Sequence, residues 1–265
     1  MILKRKIYKK LLEWKKECQG KKALLIEGAR RIGKSTICEE FGKSEYKSFL
    51  LIDFAKKDKE VEGYFEKYLN DLDTFFMLLQ THFGTKLTER NSLIIFDEVQ
   101  MFPQARAAIK YLVADGRYDY IETGSLISIR ENVKNIVIPS EERHINMYPL
   151  DFEEFAIALE EDLLVEYIKK CFEKREPLER SMHNQAMLLF HQYMLVGGMP
   201  MPVVTFIESK KDFTEADREK RDILKLYRED IMKIDAKYRS KVLAIYDQIP
   251  GFLSQHEKRV VFKKL

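Results

Sequence analysis

The sequence predicts an α/β domain with a mostly parallel sheet, followed by a helical module. Two observations lead to this fold class. Up to Pro149, short continuous apolar runs alternate with segments of helical periodicity, which is typical of parallel strands joined by helices. After Pro149 the alternation stops and only helical periodicity continues. We therefore divide the chain into a first domain, residues 1–149, and a second part, residues 150–265.

Composition supports a globular protein and excludes several other classes. Of 265 residues, 45% are hydrophobic and 34% are charged, which excludes a largely disordered chain and favours many helices. The formal net charge of +3 neither requires nor excludes a nucleic-acid partner. Three widely spaced cysteines offer no disulfide framework, so we expect a cytoplasmic location. No apolar run approaches the ~18 residues of a membrane span, and the N-terminus lacks the pattern of a secretory signal.

The first predicted element is an amphipathic helix that ends near Gly20. Its apolar positions, Ile7, Leu11, Trp14 and Cys18, recur at helical spacing, with lysines on the other faces. A basic amphipathic helix can lie on a membrane or on nucleic acid. Because this helix stands so close to the first strand, we favour the interpretation that its apolar stripe packs on the domain that follows.

Four short apolar runs and one further candidate predict the strands of the sheet. The four runs, residues 23–26, 48–54, 92–96 and 118–123, are typical of strands buried on both faces. The further candidate is residues 144–147, which end shortly before Pro149. Helices are predicted from Ser35 to about Gly42, through the sixties to the eighties, and over residues 105–114. The sequence thus predicts a helix for most of the crossovers.

The second part of the chain is predicted to be helical to about Tyr246. Asp151 is a capping residue for its first helix, whose apolar face contains Phe152 and Phe155. Breaks are predicted at residues 175–177 and at the glycine pair of residues 197–200.

Residues 28–36 carry the strongest functional signal. They match GxxxxGK[ST], the phosphate-loop or Walker A pattern, between a buried strand and a helix. The glycines allow successive N–H groups to face phosphate oxygens, and the N-terminus of the helix adds partial positive charge. Lys34 is expected to reach the β- and γ-phosphates, and the Ser35 hydroxyl is expected to ligate Mg²⁺. The predicted nucleotide contacts are Gly28, Ala29, Arg30, Arg31, Ile32, Gly33, Lys34, Ser35 and Thr36.

Two adjacent acids follow the third predicted strand, in the position of a Walker B motif. Asp97 would hold Mg²⁺ through water, opposite Ser35. Glu98 projects differently and is the candidate general base for the attacking water. An acid pair after a strand is common by itself, so this assignment depends on the phosphate loop upstream.

The next strand ends in two hydroxyl side chains, Thr123 and Ser125. Either one could orient water against the γ-phosphate, the role called sensor 1. The alternative is a turn in which the two hydroxyls satisfy backbone groups. The sequence does not separate Thr123 from Ser125.

Three arginines are candidates for contacts with phosphate. Arg30 and Arg31 lie in the loop and could face the phosphates or a neighbouring subunit. Arg143 precedes the last predicted strand and is a candidate arginine finger for a neighbour's nucleotide, although a surface arginine is the simpler interpretation. A finger acting in this way makes a homo-oligomer a candidate assembly.

Taken together, these motifs resemble a known family. GARRIGKST, LIIFDEVQ, ETGS, MYPLDFEEF and YMLVGGMP, in this order, resemble the bacterial and archaeal AAA-type P-loop ATPases that carry a nuclease-like C-terminal domain of unknown function. The resemblance covers nearly the whole chain, and PLDFEEF and GGMP are its most specific elements. It implies a P-loop NTPase sheet with flanking helices over residues 1–149. Over residues 150–265 it implies a helical lid and a partial winged-helix-like module.

The resemblance also implies a nucleotide site and a longer chain in the relatives. It implies ATP and Mg²⁺ as ligands, with catalysis by Glu98 and Lys34 and sensing by Thr123 or Ser125. The loop departs from the family in having two successive arginines, where Arg is commonly followed by another polar residue. Relatives continue through the C-terminal domain, so we expect this chain to be truncated or a naturally short member.

Three hypotheses of function follow. The first is a Mg²⁺-dependent ATPase whose hydrolysis drives a conformational change between the α/β domain and the helical module. The second is a DNA-binding or regulatory protein switched by ATP, which depends on the basic first helix and the basic tail. The third, a P-loop kinase of a small molecule, is disfavoured because the acid pair suits a water-activating base and no second substrate loop is evident.

Overall fold

A five-stranded parallel sheet forms the centre of the fold. The computed structural model describes residues 1–125, 140–232 and 234–254. The strands are β1 (Ala23–Glu27), β2 (Ser48–Asp53), β3 (Ser92–Asp97), β4 (Asp119–Gly124) and β5 (Glu142–Asn146). Their order in the sheet is β2-β3-β4-β1-β5, and each neighbouring pair is parallel. This sheet confirms the predicted α/β fold class and each of the five predicted strands.

Helices cover both faces of the sheet. They are α1 (Ile7–Cys18), α2 (Lys34–Glu45), α3 (Lys59–Lys67), α4 (Leu72–Phe83) and α5 (Pro103–Asp115). On one face, α1 and α2 bury Trp14 and Phe41 against β1, β3 and β4. On the other face, α3, α4 and α5 bury an aromatic cluster that includes Phe65, Phe75 and Phe96. The alternating strand side chains thus supply two cores, as expected of a sheet buried on both sides.

The first helix packs as the sequence predicts. Ile7, Leu11, Trp14 and Cys18 are all buried in the core on the α1–α2 face of the sheet. The indole nitrogen of Trp14 donates to the carbonyl of Lys22 at 3.0 Å, so its polar atom is also satisfied. This confirms that the apolar stripe of α1 packs on the domain that follows.

The strand order determines which loops meet. β4 lies between β1 and β3, so the three strands end side by side at one edge of the sheet. The loop after β1, the acid pair at the end of β3 and the hydroxyls at the end of β4 are therefore neighbours. In parallel α/β sheets, ligands bind at this carboxyl edge of the strands.

Only helices follow β5 in the part of the chain that the structure describes. They are α6 (Phe152–Ala158), α7 (Asp162–Lys174), α8 (Arg180–Val196), α9 (Pro200–Glu208), α10 (Phe213–Ile231) and α11 (Ala236–Ser254). Asp151 caps α6 in a reciprocal capping box with Glu154, as its position predicts. Left-handed backbone at Arg175 ends α7, and Gly197, with positive φ, follows α8. Helical structure continues to Ser254, beyond the predicted limit near Tyr246.

The chain forms two compact units, Met1–Pro200 and Met201–Leu265. The first includes α6 to α8, and the Tyr193 hydroxyl of α8 donates to the carbonyl of Leu150, in the connection after β5, at 2.9 Å. The described residues of the second unit form helices joined by short turns. The division of the chain into residues 1–149 and 150–265 stays a prediction, and so does the winged-helix-like module. None of the helices within the described ranges is both long and apolar enough to span a bilayer.

Candidate nucleotide site

The loop between β1 and α2 requires glycine at two positions for different reasons. A Cβ at Gly28 would lie only 2.4 Å from the main-chain oxygen of Met147, which follows β5. Gly33 has a φ of +89°, a left-handed conformation that side chains disfavour, and it is the N-cap residue of α2. The buried Ile32 side chain holds the loop against the core. The loop is therefore held by contacts with the core at Ile32 and with Met147 at Gly28, while its exposed side faces solvent.

Lys34 lies inside this loop. Its side chain is 5% exposed, and its ammonium group donates to the carbonyls of Gly28 at 3.2 Å and Ala29 at 2.9 Å. Burial lowers the pKa of Lys34, and the carboxylates of Glu98 and Asp97 oppose that shift. The loop thus encloses the Lys34 ammonium group, which donates hydrogen bonds to two carbonyls of the loop itself.

Ser35 and Asp97 meet across the carboxyl edge of the sheet. The Ser35 hydroxyl donates to Asp97 Oδ1 at 2.8 Å, although 62 positions separate the two residues. The Thr123 hydroxyl donates to the same carboxylate oxygen. Asp97 is 7% exposed, so this hydroxyl–carboxylate cluster is largely shielded from bulk water. The structure therefore brings together the two residues predicted to serve Mg²⁺.

This donor set fits a magnesium ion. Among residues 1–125, 140–232 and 234–254, no group of three or more His, Cys, Asp and Glu side chains is arranged to hold a metal. A phosphate-loop protein does not need such a group, because Mg²⁺ takes few protein ligands and completes its shell with phosphate oxygens and water. Ser35 and Asp97 supply hard oxygen donors beside the loop, which is the chemistry that Mg²⁺ prefers.

Glu98 adopts a backbone conformation that is uncommon for a residue with a side chain. Its φ is +53° and its ψ is 47°, the left-handed region, which is disfavoured by about 1–2 kcal/mol for non-glycine residues. Two contacts accompany this conformation: its N–H donates to Thr123 Oγ1 at 3.2 Å, and its carboxylate accepts from the Gln100 side chain. The two adjacent carboxylates therefore have different partners: that of Asp97 accepts from Ser35 and Thr123, whereas that of Glu98 accepts from Gln100.

The structure separates the two hydroxyls that the sequence leaves equivalent. Thr123 is fully buried and contacts both Asp97 and Glu98. Gly124 pairs in register with Glu27, so Ser125 follows at the level where the phosphate loop begins. Ser125 is therefore the hydroxyl at the level of the loop, whereas the Thr123 hydroxyl is bonded to the acid pair itself.

The arginines predicted to contact phosphate occupy different environments. Arg30 and Arg31 are exposed on the loop, and Arg31 has a positive φ of 66°. Arg143 lies within β5 and pairs in register with Leu24, away from the loop that follows Glu27. Its guanidinium forms an ion pair with Glu17 at 2.7 Å. This placement favours a surface arginine over a finger. Ala29 in the loop and Thr36 in the first turn of α2 are also exposed.

Sequence reasoning misses two residues that contact this site. Gln100 lies in a short 3-10 turn, Val99–Met101, and donates to the Glu98 carboxylate. Its position two residues after the acid pair is the only local signal for it. Arg5 precedes α1 and donates to the carbonyl of Ile32 in the phosphate loop at 3.0 Å. Nothing in the local sequence distinguishes Arg5 from the neighbouring basic residues.

Comparison with known proteins bears on the family of this chain. Residues 20–156, slightly more than half of the chain, match the family described as an AAA domain. None of the curated proteins matches the sequence. Among solved structures, the fold is similar to that of PCH-2 from C. elegans, with a TM-score of 0.40 and 12% identity over 82% of this chain. The similar region spans 65% of the PCH-2 chain. The family match shows that this chain belongs to the AAA domain family of P-loop ATPases.

Proposed function

We propose that this chain binds ATP with Mg²⁺ and hydrolyses it at the carboxyl edge of β1, β3 and β4. The contact between Ser35 Oγ and Asp97 Oδ1, 2.8 Å long, is the observation that supports this most directly. It joins the end of the phosphate loop to the acid pair through hard oxygen atoms. A glycine turn that binds no nucleotide would not require both a buried lysine, Lys34, and a buried acid, Asp97.

In this proposal the loop and α2 bind the phosphates. Backbone N–H groups of residues 28–36 and the N-terminus of α2 present partial positive charge to the anion. Lys34 exchanges its two carbonyl partners for phosphate oxygens, so that its buried positive charge is paired with the negative charge of the phosphates. Ser35 and Asp97 hold Mg²⁺, which when bound neutralises phosphate charge and polarises the phosphate oxygens.

The acid pair and its neighbours perform the chemistry in this proposal. Glu98 orients the attacking water and accepts its proton as general base. Gln100 fixes the direction of the Glu98 carboxylate, and Thr123 holds Asp97 and the Glu98 backbone in register. This assigns Thr123 a positioning role and leaves Ser125 as the candidate sensor of the γ-phosphate.

We further propose that hydrolysis changes the relation between the α/β domain and the helices after it. The connection from β5 to α6 contacts the beginning of the phosphate loop. Gly28 approaches the Met147 carbonyl so closely that no Cβ fits between them, and the Leu150 N–H donates to the Gly198 carbonyl at 2.6 Å. A change in the conformation of the phosphate loop would therefore displace the connection to α6.

The test is to measure nucleotide binding and phosphate release for wild type, Lys34→Ala and Glu98→Gln. Lys34→Ala should weaken ATP·Mg²⁺ binding by about 100-fold, which corresponds to about 2.7 kcal/mol. Glu98→Gln should retain binding but lower kcat by about 100-fold or more, because the amide cannot accept the proton. Lys43→Ala is the matched control, since Lys43 is an exposed lysine on the same helix. Equal ATP affinities of wild type and Lys34→Ala would refute the proposal.

A further inference from the structure

Arg5 connects three parts of the fold that are distant in sequence. Its guanidinium donates to the carbonyl of Ile32 at 3.0 Å, to the carbonyl of Tyr148 at 2.6 Å and to the carboxylate of Glu154 at 3.3 Å. Ile32 belongs to the phosphate loop, Tyr148 to the connection after β5, and Glu154 to the first turn of α6. One side chain therefore bonds the loop and the beginning of the helical part together.

The ion pair at the centre of this arrangement is buried. The side chains of Arg5 and Glu154 are 6% and 7% exposed. The adjacent residue strengthens the same link: Lys6 donates its N–H to Glu154 Oε1 at 2.6 Å, and its ammonium lies 2.6 Å from Asp151 and 2.7 Å from Glu153. A buried charge pair with further hydrogen bonds fixes geometry more than it adds stability. The segment before α1 is thus held in a defined position relative to α6.

The contact with Ile32 bears on the phosphate loop because a trans peptide is planar. The carbonyl of Ile32 and the N–H of Gly33 belong to one peptide unit and point in opposite directions. Fixing the carbonyl from outside the loop therefore also fixes the direction of the Gly33 N–H, one of the donors that a phosphate loop directs at phosphate. A Cβ on Gly33 would lie 4.0 Å from Arg5 Nη1, so the guanidinium also places positive charge beside this position.

We propose that Arg5 is a positioning residue that presets the phosphate loop for nucleotide and ties its conformation to the beginning of α6, an inference that rests on the proposed function of this site. Removing Arg5 frees the Ile32–Gly33 peptide and the β5–α6 connection at once. Removing only the charge of Glu154 loosens α6 but leaves the two carbonyl contacts of Arg5 in place.

The test compares amide hydrogen exchange and ATP·Mg²⁺ binding in four proteins: wild type, Glu154→Gln, the double variant Arg5→Met/Glu154→Gln, and a control. The double variant removes both charges, so no unpaired buried carboxylate remains to unfold the protein. The control is Arg106→Met/Glu142→Gln, another buried pair, with side chains 4% and 0% exposed and an Nη2–Oε2 distance of 2.7 Å. Glu142 pairs with Ala23 at the beginning of β1, at the opposite end of that strand from the loop.

We expect exchange at residues 28–36 to rise about tenfold in Arg5→Met/Glu154→Gln, which corresponds to about 1.4 kcal/mol. In Glu154→Gln and in the control double variant, exchange at these residues should stay within about twofold of wild type, while Glu154→Gln raises exchange in the first turn of α6. The Kd for ATP·Mg²⁺ should rise about tenfold in the Arg5 double variant relative to Glu154→Gln.

Two results would overturn the inference. One is unchanged exchange in residues 28–36 when Arg5 is replaced. The other is an equal rise in the control double variant, which would mean that any lost buried pair loosens the loop through global stability. A wild-type protein that fails to bind ATP would refute the proposed function instead, and the exchange comparison would still decide the role of Arg5, because it is measured without nucleotide.

Discussion

Replacing Thr123 with valine tests whether its hydroxyl holds the acid pair in place. Valine has nearly the same shape as threonine, so the substitution removes the hydroxyl and leaves the packing of β4 almost unchanged. The hydroxyl donates to the carboxylate of Asp97 and accepts from the N–H of Glu98 at 3.2 Å. Thr123 is 0% exposed, so water cannot readily replace the lost group.

The expected effect follows from these two hydrogen bonds. A hydrogen bond to a charged group contributes about 1.5–3 kcal/mol, and one between neutral groups contributes about 0.5–1.5 kcal/mol. We therefore expect Thr123→Val to lower the free energy of unfolding by about 3 kcal/mol. For a chain of this size, that loss lowers the Tm by roughly 6–12 °C. We expect kcat for ATP hydrolysis to fall by about 10–100-fold, because the general base and the metal ligand lose their common support.

Thr123→Ser is the matched control, because it keeps the hydroxyl and removes only a methyl group. Thermal unfolding gives the Tm, phosphate release gives kcat, and titration gives the Kd for ATP·Mg²⁺. Thr123→Ser should retain most of the activity, and both variants should bind ATP within about threefold of wild type, since Lys34 and the loop are intact. If serine loses as much activity as valine, or if valine keeps wild-type kcat, the positioning role of the hydroxyl is refuted.

Further predictions concern the loop, the general base and the buried acid of β4. Gly28→Ala should weaken ATP binding by about tenfold or more, because its Cβ would lie 2.4 Å from a main-chain oxygen; Gly63→Ala, with nothing within 4 Å, should bind normally. Gln100→Leu should lower kcat about tenfold with unchanged Kd, because Glu98 loses its donor; a parallel loss of affinity would contradict this. Burial and a neighbouring carboxylate raise the pKa of Glu122 well above its usual value of 4.5. The folded protein therefore holds this proton at pH values at which the unfolded chain releases it, so the free energy of unfolding falls as pH rises from 4.5 toward the pKa of the folded state. Glu122→Gln should therefore gain Tm relative to wild type as pH increases from about 5 to about 8, and a constant difference would contradict the shift.

The sequence predicts the strands and the helical second part well because these signals are local. The four predicted apolar runs appear as β1 to β4, and the fifth strand candidate appears as β5, an edge strand that is only partly buried. The capping residue Asp151 marks a helix start through a side-chain hydrogen bond within the next turn, and the glycine after α8 marks a helix end through its positive φ. The end of the last helix is less well predicted, because helical periodicity in the sequence weakens near Tyr246 whereas the helix extends to Ser254.

The sequence alone determined the phosphate loop and the acid pair, since each is a contiguous pattern whose chemistry depends on neighbouring residues. Tertiary structure alone decided how they combine. The placement of β4 between β1 and β3 brings Asp97 to Ser35 and separates Thr123 from Ser125. Arg5 reaches Glu154 across 149 positions of the chain, and no local pattern records a contact of that range. Periodicity and motifs describe neighbours along the chain, whereas hydrogen bonds depend on which atoms folding brings within about 3 Å.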